Sequence, residues 1–320
     1  MGNMNVAVLG AAGLAGQIGK KGTATDMTFF ELKRGQDSVT LIEPTKYPEK
    51  LSSLFYSVGM SEFAILAVEK IDAALGEQIV MADMFGIRRG WVLLRNYIQM
   101  EQLAPLIAGT SLEGFEAIEE DCVKMREALL DMAQAEGRKA GEGSCGSCPV
   151  DSHFNVKGVG TVVLGSVIDG HFRKHDKMRA LPLGREVVLK SIQKHDVDAE
   201  DGVRGDHVGL ALRGVDSEEL DRGHVLTTDP SVKMSKRIEG RAELIRYWPS
   251  PLREGMVLHV GHWMQMVPFR VASVDDSGGF RSPIVSMEAE ADMIYKPGDR
   301  AVMMYLEGGK LRIAGSIGLV

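Results

Sequence analysis

The hydrophobic pattern of this 320-residue chain changes period near Gly137–Cys148, and that change limits the folds open to it. Before the break, short apolar runs alternate with amphipathic stretches. The runs are Val6–Leu9, Val39–Ile42, Phe63–Val68, Trp91–Leu94 and Leu106–Ala108. A strand apolar on both faces must be covered on both faces, which predicts a parallel sheet between helices. Leu112, Phe115, Ile118, Cys122, Met125, Leu129 and Met132 recur at spacings of three and four, predicting one helical stripe. After the break, strand-like runs such as Gly160–Gly165 and Glu186–Lys190 recur between glycine turns, with no long helical pattern. Further strand candidates at Gly255–Val260, Val267–Val274, Met303–Leu306 and Leu311–Ala314 follow a second break at Asp229-Pro230. The expected fold is a parallel-sheet α/β domain over 1–140, a Gly/Ser/Cys linker over 141–149, and two all-β barrels over 150–229 and 230–320.

Composition narrows the function classes. No apolar run approaches the roughly 18 residues of a membrane span, so no membrane partner is expected. The start, Met1-Gly-Asn-Met-Asn5, has no basic segment, so no export signal is expected. Three cysteines cannot build a disulfide framework, which favours a reducing cytoplasm. A net charge of −7 argues against indiscriminate nucleic-acid binding, and DNA is not expected as a partner. All eight histidines lie at or after His153, so the first domain holds no imidazole base.

The middle region carries the most specific motifs. It reads Asp151-Ser-His-Phe154, Lys157-Gly-Val-Gly-Thr-Val-Val163, then Leu181-Pro-Leu-Gly-Arg-Glu-Val187. It continues through Gly205-Asp-His-Val-Gly209 to Arg222-Gly-His-Val-Leu226. Gly158, Gly160, Gly165 and Gly170 suit tight barrel corners and close strand crossings. These residues resemble the second domain of translational GTPases of the EF-Tu/SelB type. The likeness is closest to archaeal SelB-like factors, including those proposed for pyrrolysyl-tRNA. The flanks agree: Gly22–Phe30 is similar to the first switch, and Gly109–Phe115 to the loop-to-helix turn that touches guanine. Lys296-Pro-Gly-Asp-Arg300 resembles the closing strands of the third domain. The resemblance implies a G-type domain followed by two barrels, an aminoacyl-tRNA partner and contact with the ribosome.

Against that family, the G-type domain reads as degenerate. A working phosphate loop, G-x-x-x-x-G-K-[ST], cradles phosphates with amides and adds a lysine and a magnesium-binding hydroxyl. Here Gly10-Ala-Ala-Gly13-Leu-Ala-Gly16-Gln17 places Ala15, Gly16 and Gln17 at the glycine, lysine and Ser/Thr positions. Glu43 stands for the magnesium-ordering aspartate, Lys46 for the γ-phosphate glycine and Tyr47 for the histidine. Leu94-Arg95-Asn96-Tyr97 replaces the guanine-reading motif. Gly10, Gly13, Gly16, Thr25, Glu43, Arg95 and Asn96 are therefore read as a vestigial nucleotide site, with weak anion binding at the glycines and base stacking at Arg95 left open. No catalytic residue and no required cofactor are expected. GTP with Mg2+ belongs to the alternative of a functional factor with an atypical loop. A third alternative is a scaffold protein that binds no RNA.

The aminoacyl pocket is the other candidate. The resemblance carries a D-H-x-F pair and a G-D-R-V-G arginine onto Asp151, Ser152 and His207, with His153 one position on and Arg222 alongside. Two of the three polar groups differ from the selenocysteine pattern. Imidazole replaces guanidinium at position 207, a weaker and pH-dependent substitute. Lys174, Lys177, Arg185, Lys190, Lys233, Lys236 and Arg237 are candidate RNA contacts or solvated charges. Cys145-Gly-Ser-Cys148 is a lone C-x-x-C and a weak metal candidate, short of the four ligands a structural zinc wants. His259 and His262 are expected on opposite faces of a strand.

Overall fold

The computed structural model describes residues 2–137, 145–194, 197–309 and 311–320. The chain divides into two compact units, residues 1–139 with 307–312, and residues 140–306 with 313–320.

The first unit runs β1 (Asn3–Leu9), α1 (Leu14–Ile18), β2 (Lys20–Ala24), β3 (Thr28–Arg34) and β4 (Asp37–Glu43). It continues α2 (Leu51–Gly59), β5 (Phe63–Val68), α3 (Ala73–Met84), β6 (Gly90–Leu94), α4 (Met100–Ile107), β7 (Glu116–Ala117) and α5 (Cys122–Glu136). The strands form one mixed sheet ordered β2-β3-β4-β1-β5-β6-β7. From β4 through β7 the pairs are parallel, while β3 meets β2 and β4 antiparallel. Every residue of β1 and β5 is buried, as strands between two helical layers must be. The predicted runs at Val6, Val39, Phe63 and Trp91 all fall in these strands.

Two elements differ from expectation. Leu106 and Ile107 close helix α4, and Ala108 caps it. Leu103 and Ile107, four apart, are its buried face. A three-residue apolar run is as compatible with one turn of helix as with a strand. The stripe predicted from Leu112 becomes helical only at Cys122, because Asp121 caps the amides of Val123 and Lys124, each at 3.1 Å. Leu112 and Phe115 are buried in the preceding turn.

In the second unit, β8 (Ser147–Val156), β9 (Gly160–Ser166), β11 (Lys177–Leu181), β12 (Arg185–Lys194), β15 (His207–Arg213) and β16 (Val225–Thr227) close into a six-stranded antiparallel barrel. Strand β13 (Val197–Ala199) extends β12, and β10 (His171–Arg173) pairs with β14 (Asp201–Val203). The 3-10 turn Ser217–Glu219 precedes β16. The second barrel joins β17 (Lys233–Leu244), β18 (Val257–His262), β19 (Gln265–Asp275), β20 (Ile284–Tyr295), β21 (Arg300–Met304) and β22 (Ile313–Gly318) in the order β17-β20-β19-β18-β21-β22. Of the linker expected over 141–149, residues 141–144 lie outside the described residues, while Ser147–Pro149 already pair with β16. Glycine is required at 170, where φ is +57° and a Cβ would stand 1.6 Å from the Cys145 carbonyl oxygen. Lys296 ties the two barrels, its ammonium 2.8 Å from Asp169 and 3.0 Å from Asp229.

Candidate functional site

Three loops at the carboxyl edge of the first sheet meet where an open α/β sheet ordinarily receives its ligand. The first follows β1. Gly10 turns with φ +89°, and a Cβ there would lie 2.0 Å from the Ala67 carbonyl oxygen, so the loop runs against β5. Gly13, with φ +82°, caps α1. Such a loop offers amides to an anion, and the anion here is internal. Glu43, at the end of β4 and 8% exposed, accepts the Gly13 amide on its carboxylate. Burial pushes the Glu43 carboxyl above the usual carboxylate range, while the amides of Gly13 and Ala15 pull it the other way. Gly16 sits within α1, where a Cβ would meet the Phe30 ring at 3.2 Å. Helix α1 is only five residues long.

Thr25 lies in the exposed β2–β3 turn, its hydroxyl donating to Asp26 at 3.1 Å. Tyr47, at the family's histidine position, donates from its hydroxyl to the Ala74 carbonyl at 2.9 Å. Its ring lies under Arg312, so it faces α3. Burial and the neighbouring Glu77 carboxylate push its hydroxyl far above the ordinary phenol value.

The second and third loops follow β6 and β7. Arg95 donates from Nε to Glu120 at 2.6 Å and from Nη1 to Glu69 at 2.6 Å, and its Nη2 also reaches Glu120. Fork-to-fork pairing of this kind fixes a guanidinium in place. It raises the Arg95 pKa, chiefly through Glu120, and lowers that of Glu120. Asn96 donates to the Glu69 carbonyl at 3.0 Å. Asn96 and Tyr97 both have positive φ, 53° and 62°, and Tyr97 is 97% exposed. The guanine-side turn expected at Gly109–Phe115 precedes β7, whereas the turn entering α5 is Ile118–Asp121. Strand β7, only two residues long, separates these two turns. Glu120 and Glu69, which the sequence did not single out, complete this cluster.

The aminoacyl candidates lie on the first barrel. Asp151 is 2% exposed, and Arg222 grips it twice, Nη2 to Oδ1 at 3.1 Å and Nε to the backbone carbonyl at 3.0 Å. Ser152 follows a bulge in β8, half-buried. His153 Nδ1 lies 3.3 Å from Ser217 Oγ, and His207 Nδ1 lies 3.3 Å from Ser166 Oγ. The register aligns His207 with Ser166, on the strand between β15 and β8. His224 is a further imidazole of this cluster, its pKa lowered by burial and, to a lesser degree, by His153. Asp206, beside His207, meets Lys194 at 2.5 Å. No local motif flags Ser166, Ser217 or Lys194, because each is brought in by barrel closure.

Several basic candidates already have partners. Lys177 meets Glu186 at 2.9 Å, Arg185 meets Glu219 at 2.5 Å, Lys174 meets Glu200 at 3.8 Å and Arg237 meets Glu288 at 3.8 Å. Lys190 donates to the Val159 carbonyl at 2.6 Å. The two cysteines of the weak metal candidate differ in burial. Cys148 is fully buried in the barrel core with its thiol pushed up by burial, while Cys145 is only partly buried. No group of three or more metal-binding side chains occurs among the described residues. His262 is buried against Asp299 and the Ile294 carbonyl, each at 3.0 Å. Among the described residues, no helix is long and apolar enough to cross a membrane.

Residues 160–227 match the family described as Elongation factor Tu domain 2. An uncharacterised protein of Methanocaldococcus jannaschii is 32% identical over 95% of this chain and 94% of its own. The selenocysteine-specific elongation factor of the same organism is 29% identical over 78% of this chain, which spans 52% of that protein. Translation elongation factor SelB from Methanococcus maripaludis, solved with a GTP analogue, superposes with a TM-score of 0.84 at 21% identity. That likeness covers 100% of this chain and 79% of the other.

Proposed function

Because the chain belongs to the translational GTPase superfamily and is a SelB-like elongation factor homologue, we propose that it binds an aminoacyl-tRNA with little or no GTP hydrolysis. The Glu43–Gly13 contact carries the reading. A tethered carboxylate occupies an amide that an ordinary phosphate loop turns towards phosphate. A nucleotide would have to expel that buried carboxylate, without the lysine and hydroxyl that hold phosphate and magnesium elsewhere in the family. On the base side, Arg95 ties two loops together through Glu69 and Glu120. The protein then needs neither GTP nor Mg2+, and works in the cytoplasm with the ribosome as a second partner.

RNA recognition falls to the barrels. The Arg222–Asp151 pair sets the start of the pocket and His207 stands where a selenocysteine pocket has arginine, so the aminoacyl group served differs from selenocysteine. The test is crosslinking in native cells followed by sequencing of the RNA recovered with the protein. Enrichment of one tRNA or a small set is expected. Recovery at background level for every tRNA would contradict the reading and favour the scaffold alternative.

A further inference from the structure

The first unit holds a second surface feature, which shares the Ile118–Asp121 turn with the base side of the candidate nucleotide site. A groove of about 420 Å3 runs between β7 and the amino-terminal half of α5. Its floor is apolar, with Trp91, Ile118, Met125 and Ala128, and its rim sets Glu116, Glu119 and Asp121 against one cation, Lys124. Strand β7 is the last of the sheet, so the groove opens along a sheet edge.

The charge around it is one-sided. Residues 69–72, 95–101 and 116–124 carry seven carboxylates against three cations. Each cation is already engaged: Lys70 with Asp72 at 2.7 Å, Lys124 with Asp121 at 3.4 Å, and Arg95 with Glu69 and Glu120. Among the described residues, Glu101, Glu116 and Glu119 have no ion pair, and all three are exposed. Val123, in α5 between the lining residues Asp121 and Lys124, is 71% exposed, and Tyr97, two residues past the Arg95 that pairs with Glu120, is 97% exposed. A lone exposed apolar residue is ordinary, whereas apolar residues grouped inside a charged rim mark a contact surface.

We propose that this groove docks a Lys/Arg-rich amphipathic segment of a partner protein. The apolar side of such a segment would lie on Trp91 and Ile118, its cations would meet Glu116 and Glu119, and the open face of Tyr97 would take a further cation by cation–π attraction. The carboxylate rim repels a phosphate backbone, so RNA is the wrong occupant here. The inference stands apart from the tRNA reading, which rests on the barrels.

The test is fluorescence anisotropy with the whole chain and a labelled peptide of repeated Leu-Lys-Lys-Leu units. A Leu-Glu-Glu-Leu peptide and a mixed-sequence single-stranded RNA serve as comparisons. Saturable, salt-sensitive binding of the basic peptide alone is expected. The double variant Glu116→Lys/Glu119→Lys should weaken it about tenfold or more, and Tyr97→Ala several-fold. Among the described residues neither glutamate side chain makes an ion pair, and circular dichroism checks that the variants fold. Glu254→Lys/Asp276→Lys changes the net charge equally at exposed sites in the second unit, and should leave affinity within about twofold. Equal weakening by both double variants, no saturable binding, or tighter binding of the RNA would each overturn the proposal.

Discussion

Replacing Arg312 with alanine is expected to destabilise the first unit by about 3–5 kcal/mol, the usual cost of stranding one partner of a buried ion pair. Glu77 is 2% exposed in the middle of α3. Its carboxylate takes three donors from one residue, the Arg312 amide at 2.8 Å, Nε at 3.1 Å and Nη2 at 2.6 Å. The same guanidinium reaches the Pro48 carbonyl at 3.0 Å and covers the Tyr47 ring. Residues 307–312, assigned with the last barrel from the sequence, therefore belong to the first unit. Without Arg312, the buried Glu77 charge keeps the neutral Tyr47 hydroxyl beside it but no cation. Amide hydrogen exchange along β1 and β5 reads the free energy of this unit directly. Adding Glu77→Gln to Arg312→Ala should recover much of the loss, because an uncharged amide is far less costly to bury. A loss below about 1 kcal/mol would place this pair with ordinary surface bridges.

Lys194→Ala is expected to act with similar force on the first barrel. The Lys194 ammonium lies 2.5 Å from Asp206 and 3.6 Å from Asp201, and the side chains of Lys194 and Asp206 are 8% and 6% exposed. Asp206 also accepts the Val203 amide at 2.9 Å, and it directly precedes His207. The pair thus sets the start of β15 and the position of the candidate aminoacyl imidazole. Loss of the lysine leaves a buried carboxylate, again at about 3–5 kcal/mol. Exchange of the β15 amides should quicken by about a hundredfold or more, at roughly 1.4 kcal/mol per factor of ten. Asp206→Asn in the Lys194→Ala background removes the stranded charge and should restore most of the protection. Unchanged exchange in Lys194→Ala would mean that the barrel holds this turn by packing alone.

How much of this was legible in the sequence depended on burial. Strands β1, β4, β5 and β6 were readable because burial on both faces leaves an unbroken apolar run. Strand β2 was not: it is an exposed edge, Lys20-Lys-Gly-Thr-Ala24, and edge strands are polar because bare edges aggregate. Gly10, Glu43 and Arg95 could be named from motif positions. Their partners could not, since Gly13 lies 30 residues from Glu43 and Glu120 lies 25 from Arg95, and only the sheet order brings them together. The missing lysine and histidine are visible as letters. That a glutamate turns onto the vacated amide is a fact of three dimensions.

On the proposed function, the chain's own Glu43 and Arg95 clusters fill the carboxyl edge of the first sheet in place of a nucleotide. Titration of the whole chain with fluorescent GDP and GTP analogues, with and without Mg2+, tests it most directly. No saturable binding is expected, with any dissociation constant weaker than about 1 mM, or roughly −4 kcal/mol. Micromolar binding that requires Mg2+ would contradict it and make the protein a working GTP-dependent factor.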